Sequence, residues 1–149
     1  MEKLNFSSKS TDDTKKIARQ ILEKVKEKFG SQEGVVFLLE GELGSGKTTL
    51  VKFFTEQISE DSHYVSSPTF TIVNEYPKKI LHIDLYRVDE PDEIISFLQE
   101  KIQEDKYSAF IEWGEKLNRK IFDKTVRIKI DFGDGESERY ITMEIADNL

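Results

Sequence analysis

Eight consecutive residues in the first third of the chain, Gly41-Glu42-Leu43-Gly44-Ser45-Gly46-Lys47-Thr48, fit the pattern G-x-x-x-x-G-K-[ST] at each defined position. The residue types are those needed to hold a polyphosphate. Glycines let the backbone turn tightly and bring N–H groups close to phosphate oxygens. A helix beginning near Lys47 turns its positive end toward the same anion. Lys47 adds a mobile cation for the β- and γ-phosphates. The Thr48 hydroxyl can reach Mg²⁺, which keeps most of its water and takes few protein ligands.

An NTP-hydrolysing site of this kind also needs an acid at the end of a neighbouring strand. Two residues qualify. Asp84 closes the run Ile80-Leu81-His82-Ile83-Asp84, and Glu112 follows Ala109-Phe110-Ile111. A parallel strand would deliver either one beside the loop. Each could hold Mg²⁺ directly or through water, or orient the attacking water; each could also be an ordinary strand-end acid. Ser66-Ser67-Pro68-Thr69-Phe70-Thr71 is hydroxyl-rich and stands where nucleotide switches often sense the γ-phosphate; plain loop chemistry accounts for it equally well. Trp113, the single tryptophan, reads either as a core or rim aromatic or as a ring over the nucleotide site or a partner. His82, inside a strand-like run, reads as structural. His63 carries no signal, and no pair of histidines has metal-ligand spacing, so no zinc site is expected.

The elements that must position these residues are legible from periodicity. Ser10-Thr11-Asp12-Asp13 suits a helix start, with capping oxygens and carboxylates at the positive dipole end. Ile17, Ala18, Ile21, Leu22, Val25 and Phe29 then form one apolar stripe, and Gly30 stops the helix. Val35 to Leu39 is a short apolar run of the kind buried on both faces in a parallel sheet. A second helix follows the loop, with Leu50, Phe53, Phe54 and Ile58 inward, and residues 59–68 read as a polar loop. Phe70 to Tyr76 and Ile80 to Tyr86 predict a hairpin across Pro77-Lys78-Lys79. Glu93 to Gln103 predicts a helix with Ile94, Ile95, Leu98 and Ile102 on one side, and Tyr107 to Ile111 a buried strand. A short helix is expected over 114–121. Val126 to Ile130 alternates apolar and charged as a half-buried strand does, and Gly133-Asp134-Gly135 turns it into a return over Tyr140 to Ile145. The sum is an α/β chain with a mixed, mostly parallel central sheet, flanked by helices and bearing antiparallel hairpins.

Composition narrows the function classes. At 149 residues the chain suits one domain with a real core, expected to span 1–149. The net charge of −7 disfavours a self-sufficient nucleic-acid binder, since phosphate-backbone affinity asks for a basic balance. There are no cysteines, which excludes a disulfide scaffold, a thiolate metal site and a cysteine nucleophile and fits a reducing compartment. The N-terminus has no secretory apolar core, and no apolar run is long enough to span a membrane, so a cytoplasmic location is expected. The charge is uneven: residues 1–60 are neutral, with ten bases and ten acids, and residues 61–149 carry the whole excess. Between Asp89 and Asp105 seven acids face one base, Lys101. A solvated helix face explains this, and so does a docking surface for a basic partner.

In order along the chain stand the phosphate loop Gly41 to Thr49, Val65-Ser66-Ser67-Pro68-Thr69-Phe70-Thr71, His82-Ile83-Asp84-Leu85-Tyr86-Arg87, and Ile111-Glu112-Trp113. This set resembles the bacterial TsaE (YjeE) family of small P-loop ATPases over about the whole chain. The S-P-T-F-T and H-x-D-x-Y-R segments together are far more specific than the loop alone. The resemblance implies a P-loop NTPase fold and an ATPase that takes part in making threonylcarbamoyl adenosine next to the anticodon of tRNAs. It implies two partner proteins, TsaB and TsaD, with TsaD carrying out the transfer and the ATPase resetting the complex. tRNA would then be met only through that complex. By position, Leu43, Gly44, Ser45, Gly46, Lys47, Thr48 and Thr49 would hold the ATP phosphates. Thr48 and Glu112 would hold Mg²⁺, Asp84 would be the second essential acid, and Trp113 would stand beside the nucleotide. Thr11 lies where the family's first helix nears the adenine, and Arg139 is a looser candidate for the same neighbourhood.

Other readings of the loop remain at this point. A small nucleotide or metabolite kinase would need an acceptor pocket and usually several arginines; this chain has five in all. A GTPase would usually carry N-K-x-D, which is absent. A nucleotide-sensing scaffold with negligible hydrolysis would not need both acids.

Overall fold

The computed structural model describes residues 2–59, 73–117 and 119–147. The Ser66–Thr71 segment, His63, the 59–68 loop beyond Ser59 and the first residues of the expected 70–76 strand therefore lie outside the described residues.

The first helix forms where its caps specify. α1 spans Thr11–Phe29. Ser10 Oγ accepts from the Asp13 N–H at 3.1 Å, and the Asp13 carboxylate accepts from the Lys9 N–H at 3.0 Å. Each end of the box satisfies a backbone donor that the helix cannot. Gly30 closes α1 with φ +83°, a left-handed conformation that glycine adopts without a Cβ penalty. Ahead of α1 lies a strand the composition did not announce: β1, Glu2–Ser8, whose Leu4 and Phe6 pack on the core from the sheet edge.

The remaining strands are β2 Val36–Glu40, β3 Val73–Tyr76, β4 Ile80–Asp84, β5 Ser108–Glu112, β6 Lys124–Phe132 and β7 Arg139–Asp147. They form one seven-stranded sheet in the order β1-β7-β6-β2-β5-β4-β3. β6, β2, β5 and β4 run parallel, while the β6–β7, β1–β7 and β3–β4 pairs are antiparallel. This is the mixed, mostly parallel sheet with hairpins that periodicity implied. α2, Lys47–Ser59, joins α1 on one face. On the other face Leu98 and Ile102 cover the sheet.

The period of two sorts the side chains. Val35, just before β2, and Phe37 and Leu39 within it enter the α1/α2 core, and Val36 and Leu38 enter the opposite one. From β6 the buried apolar residues are the alternating Val126, Ile128 and Ile130, which matches the half-buried reading. The core below the phosphate loop is an aromatic trio. The Phe37 and Phe110 rings stack at 4.5 Å, Phe54 and Phe110 at 5.2 Å, and Phe37 and Phe54 lie 5.6 Å apart. Phe110→Ala is expected to lower the unfolding free energy by about 3–5 kcal/mol, the range for a large core aromatic, as read from denaturant melts.

Three expectations need correction. The second strand of the β3–β4 hairpin ends at Asp84 rather than Tyr86, because the chain turns there and the Tyr86 N–H donates to the Asp84 carboxylate at 2.9 Å. The single helix expected over 93–103 is a succession: a 3₁₀ turn Pro91–Ile94, α3 over Ile95–Gln99, and a π turn Glu100–Glu104. Its apolar side still packs as the spacing requires, with Leu98 and Ile102 buried and Ile94 and Ile95 partly so. The short helix expected over 114–121 is two 3₁₀ turns, Gly114–Lys116 and Arg119–Ile121. Among the described residues no helix is long and apolar enough to cross a membrane.

Candidate nucleotide site

Parallel strands deliver their C-terminal ends to one edge, where ligands of open α/β sheets bind. Here three such ends converge. β2 runs into the phosphate loop, Asp84 ends β4 and Glu112 ends β5. In register Glu112 stands opposite Leu39 on one side and Asp84 on the other. The two acids singled out by sequence are therefore direct cross-strand neighbours beside the loop.

The loop is shaped by close contacts. A Cβ on Gly41 would lie 2.6 Å from Ser45 Oγ and 2.7 Å from the Ile130 carbonyl oxygen, so only glycine fits there. Ser45 N donates to the Glu42 carbonyl at 3.1 Å, and Leu50 N donates to Gly46 O at 2.9 Å, closing the first turn of α2. Lys47, Thr48 and Thr49 open that helix, where N–H groups have no carbonyl one turn back to bond. Ser45 Oγ is buried without a hydrogen-bond partner among the described residues. An anion seated on this turn would satisfy both sets of donors. Leu43, at the loop tip, is 63% exposed.

Lys47 is buried, and its ammonium donates to the carbonyl oxygens of Gly41 and of Glu42, the latter at 3.0 Å. It also lies 4.3 Å from the centre of the Trp113 ring. Burial pulls its pKa below the usual lysine value, and the carboxylates of Glu112, Glu115 and Asp84 oppose that shift. A cation held by neutral carbonyls and a ring face is poised to exchange those partners for phosphate oxygens.

Thr48 and Glu112, 64 residues apart, meet directly. The Thr48 hydroxyl lies 3.0 Å from each oxygen of the Glu112 carboxylate. His82 Nε2 donates to the same carboxylate, at Oε2. A place inside a strand-like run makes His82 structural by sequence; the pairing of β4 with β5 sets it against Glu112. Its standing in the H-x-D-x-Y-R segment, two residues before Asp84 and so on the same face of β4, was the available signal.

The chain after each acid is tied down. The Leu85 N–H donates to Glu112 O at 3.1 Å. Lys116 Nζ donates to the carbonyls of Leu85, Tyr86 and Val88 at 2.8, 3.0 and 3.1 Å. Trp113 takes a left-handed backbone with φ +61°, a strained choice for a tryptophan. Gly114 then packs so tightly on Leu38 that a Cβ would lie 2.7 Å from the Leu38 Cβ. The turn sets the Trp113 ring beside Lys47 and 5.0 Å from the Tyr86 ring.

A cavity of about 650 Å³ opens beside the loop. Ser10, Thr11, Gly44, Thr49, Glu136 and Arg139 are among its lining residues. It is large enough for a nucleoside next to the phosphate turn. Thr11 is thus carried to the cavity by the start of α1, and Arg139 by the β6–β7 hairpin. Arg139 Nε donates to Ser45 O at 3.1 Å, and its Nη1 donates to the carbonyls of Glu136 and Glu138, each at 2.9 Å. The guanidinium ties the hairpin tip to the phosphate loop.

Comparison with known proteins places the chain in a family. The family model described as "Threonylcarbamoyl adenosine biosynthesis protein TsaE" matches residues 8–141. The chain belongs to the TsaE family. A relative from Bacillus subtilis, named tRNA threonylcarbamoyladenosine biosynthesis protein TsaE, is 31% identical, covering 99% of this chain and 89% of its own. A protein of the same name from Aquifex aeolicus is 40% identical over 72% of this chain and 74% of its own. A crystal structure of YdiB from Bacillus subtilis superposes with a TM-score of 0.65 at 29% identity, covering 98% of this chain and 86% of that one. The family model's match spans the phosphate loop, both acids and Arg139. The TsaE family model's match begins at Ser8, the last residue of β1, so most of that edge strand lies outside it.

Proposed function

We propose that this chain is an ATP-binding, ATP-hydrolysing subunit required for threonylcarbamoyl adenosine modification of tRNA, acting in the cytoplasm as one P-loop domain with TsaB and TsaD. The observation that carries the chemistry is the direct contact between the Thr48 hydroxyl and the Glu112 carboxylate at the mouth of the phosphate loop. The family and its relatives' names support the pathway and lend nothing to the small-kinase alternative.

The donor set fits Mg²⁺. Thr48 and Glu112 offer hard oxygens, and among the described residues no group of three His, Cys, Asp or Glu side chains could hold a metal. A cation that takes few protein ligands and completes its shell with phosphate and water suits such a pair. When bound, it supplies charge neutralisation on the phosphates. Lys47 binds the β- and γ-phosphate oxygens. Backbone N–H groups from Gly44 to Thr49 cradle the phosphates, with Leu43 at the lip. Asp84 orients the attacking water. Trp113 walls the site beside Lys47, and Thr11 and Arg139 flank the nucleoside.

Arg139 is engaged by three backbone carbonyls and by the Phe132 ring, 4.5 Å away, so this chain offers it as an anchor more than as a charge for the transition state. Hydrolysis by the isolated chain is therefore slow and rises with TsaB and TsaD. The seven acids from Asp89 to Asp105 are all exposed and suit docking to a basic surface of those partners. Phosphate release from ATP, measured with and without the two partners, is expected to rise on their addition. Absence of ATP binding, or transfer of phosphate to a small metabolite, overturns the reading. In the same assay, charge reversal at Glu93 and Glu100 is expected to weaken complex formation while leaving ATP binding intact.

A further inference from the structure

His82 is fully buried, in a strand whose neighbours on the same face are Ile80 and, across the β4–β5 register, Phe110. An apolar side chain would fill such a place. An imidazole there must be desolvated, and its Nδ1 is buried without a hydrogen-bond partner among the described residues. That cost brings one return, the Nε2 hydrogen bond to Glu112. Since a carboxylate only accepts, Nε2 carries the hydrogen. The same carboxylate receives the Thr48 hydroxyl, so two donors from two elements fix it, one in β4 and one in α2.

We propose that His82 is a positioning residue for Glu112, restraining rotation of the carboxylate so that it is held facing the Thr48 hydroxyl, ready to ligate a divalent cation. This rests on the reading of Glu112 as a metal ligand. Outer partners that orient a ligating carboxylate typically raise metal affinity by about 10–100-fold. The role needs a donor at the place of Nε2 and nothing at that of Nδ1. The amide of Gln reaches the first place; the shorter Asn reaches only the second.

The test uses the full chain with ADP and Mn²⁺ as the probe, free Mn²⁺ being read by electron paramagnetic resonance. Nucleotide binding in EDTA and far-ultraviolet circular dichroism run alongside. His82→Leu and His82→Asn are expected to weaken Mn²⁺ binding by about 10–100-fold, with metal-free ADP binding changed less than about twofold. His82→Gln is expected to restore most of the affinity. Folded Leu and Asn variants that bind Mn²⁺ as the native chain does overturn the proposal. So does a folded Gln variant as weak as Asn, since shape and not the donor would then matter. Should His82→Leu fail to fold, the Gln–Asn pair carries the comparison. Glu112→Ala separates the two readings: if it binds Mn²⁺ normally, the metal role of Glu112 fails first and the role of His82 with it.

Discussion

Lys47→Ala is expected to weaken ATP and ADP binding by about 100-fold, the loss of roughly 3 kcal/mol from a charge-assisted contact to phosphate. The reason lies in where the ammonium is held. It is buried, its charge is disfavoured by that burial, and it rests on two loop carbonyls and a ring face. Phosphate oxygens give it a full counter-charge in the same place. Alanine removes that gain and also leaves the Gly41 and Glu42 carbonyls without their donor, which loosens the loop. The single tryptophan, Trp113, provides the readout, because its ring lies against Lys47. Titration of its fluorescence with ADP and ATP checks the prediction. Equal affinity in the variant and the native chain would remove Lys47 from the phosphate site.

Glu112→Gln is expected to separate binding from turnover. Nucleotide affinity without metal should stay within about threefold, because the change is isosteric and Thr48 and His82 retain an acceptor. Partner-stimulated hydrolysis should fall by about 10²–10³-fold, the usual cost of removing one preorganised electrostatic group. Glu112→Ala is expected to harm Mg²⁺-dependent turnover at least as much. Stability gives a second readout with opposite sign. Glu112 is a buried carboxylate on a core strand, and removing its charge relieves a desolvation cost. The Gln variant should therefore melt at or above the temperature of the native chain, as expected where function holds a group the fold would rather not bury. A Gln variant that turns over normally would show that Glu112 has no metal role.

Much of the sheet was legible because burial on two faces, on one face and on none leaves different patterns. Val35 to Leu39 and the run ending at Ile111 are continuous apolar stretches, and both are central parallel strands. Val126 to Ile130 alternates, and β6 is buried on one face only. β1 escaped notice for the converse reason. Its seven residues include only two large apolar side chains, Leu4 and Phe6, and its order comes from pairing with β7 at the far end of the chain, from Glu2 opposite Ile145 to Ser8 opposite Arg139. The 91–104 segment kept its apolar stripe but not its regular helix. Spacing of three and four is shared by 3₁₀, α and π turns, so the pattern places a face without choosing the hydrogen bonds.

What the sequence by itself determined was the phosphate turn. Eight contiguous residues specify it because the conformation is local: glycine at Gly41, where a Cβ would strike Ser45 and Ile130, and a helix opening at Lys47. Spacing named two acids without ordering them, since each closes an apolar run, and it was the family resemblance that set Glu112 with Thr48 at the metal. The tertiary structure supplies the physical reason that Glu112 is the one that meets Thr48. β5 lies next to β2 and β4 lies one strand further out, so Glu112 reaches the hydroxyl and Asp84 stands beside it. The same pairing turned His82 from a core residue into a partner of Glu112, and the β6–β7 hairpin brought Arg139 to Ser45 from 94 residues away. These are contacts between strands distant in sequence, set by sheet order and register, and no local spacing encodes them.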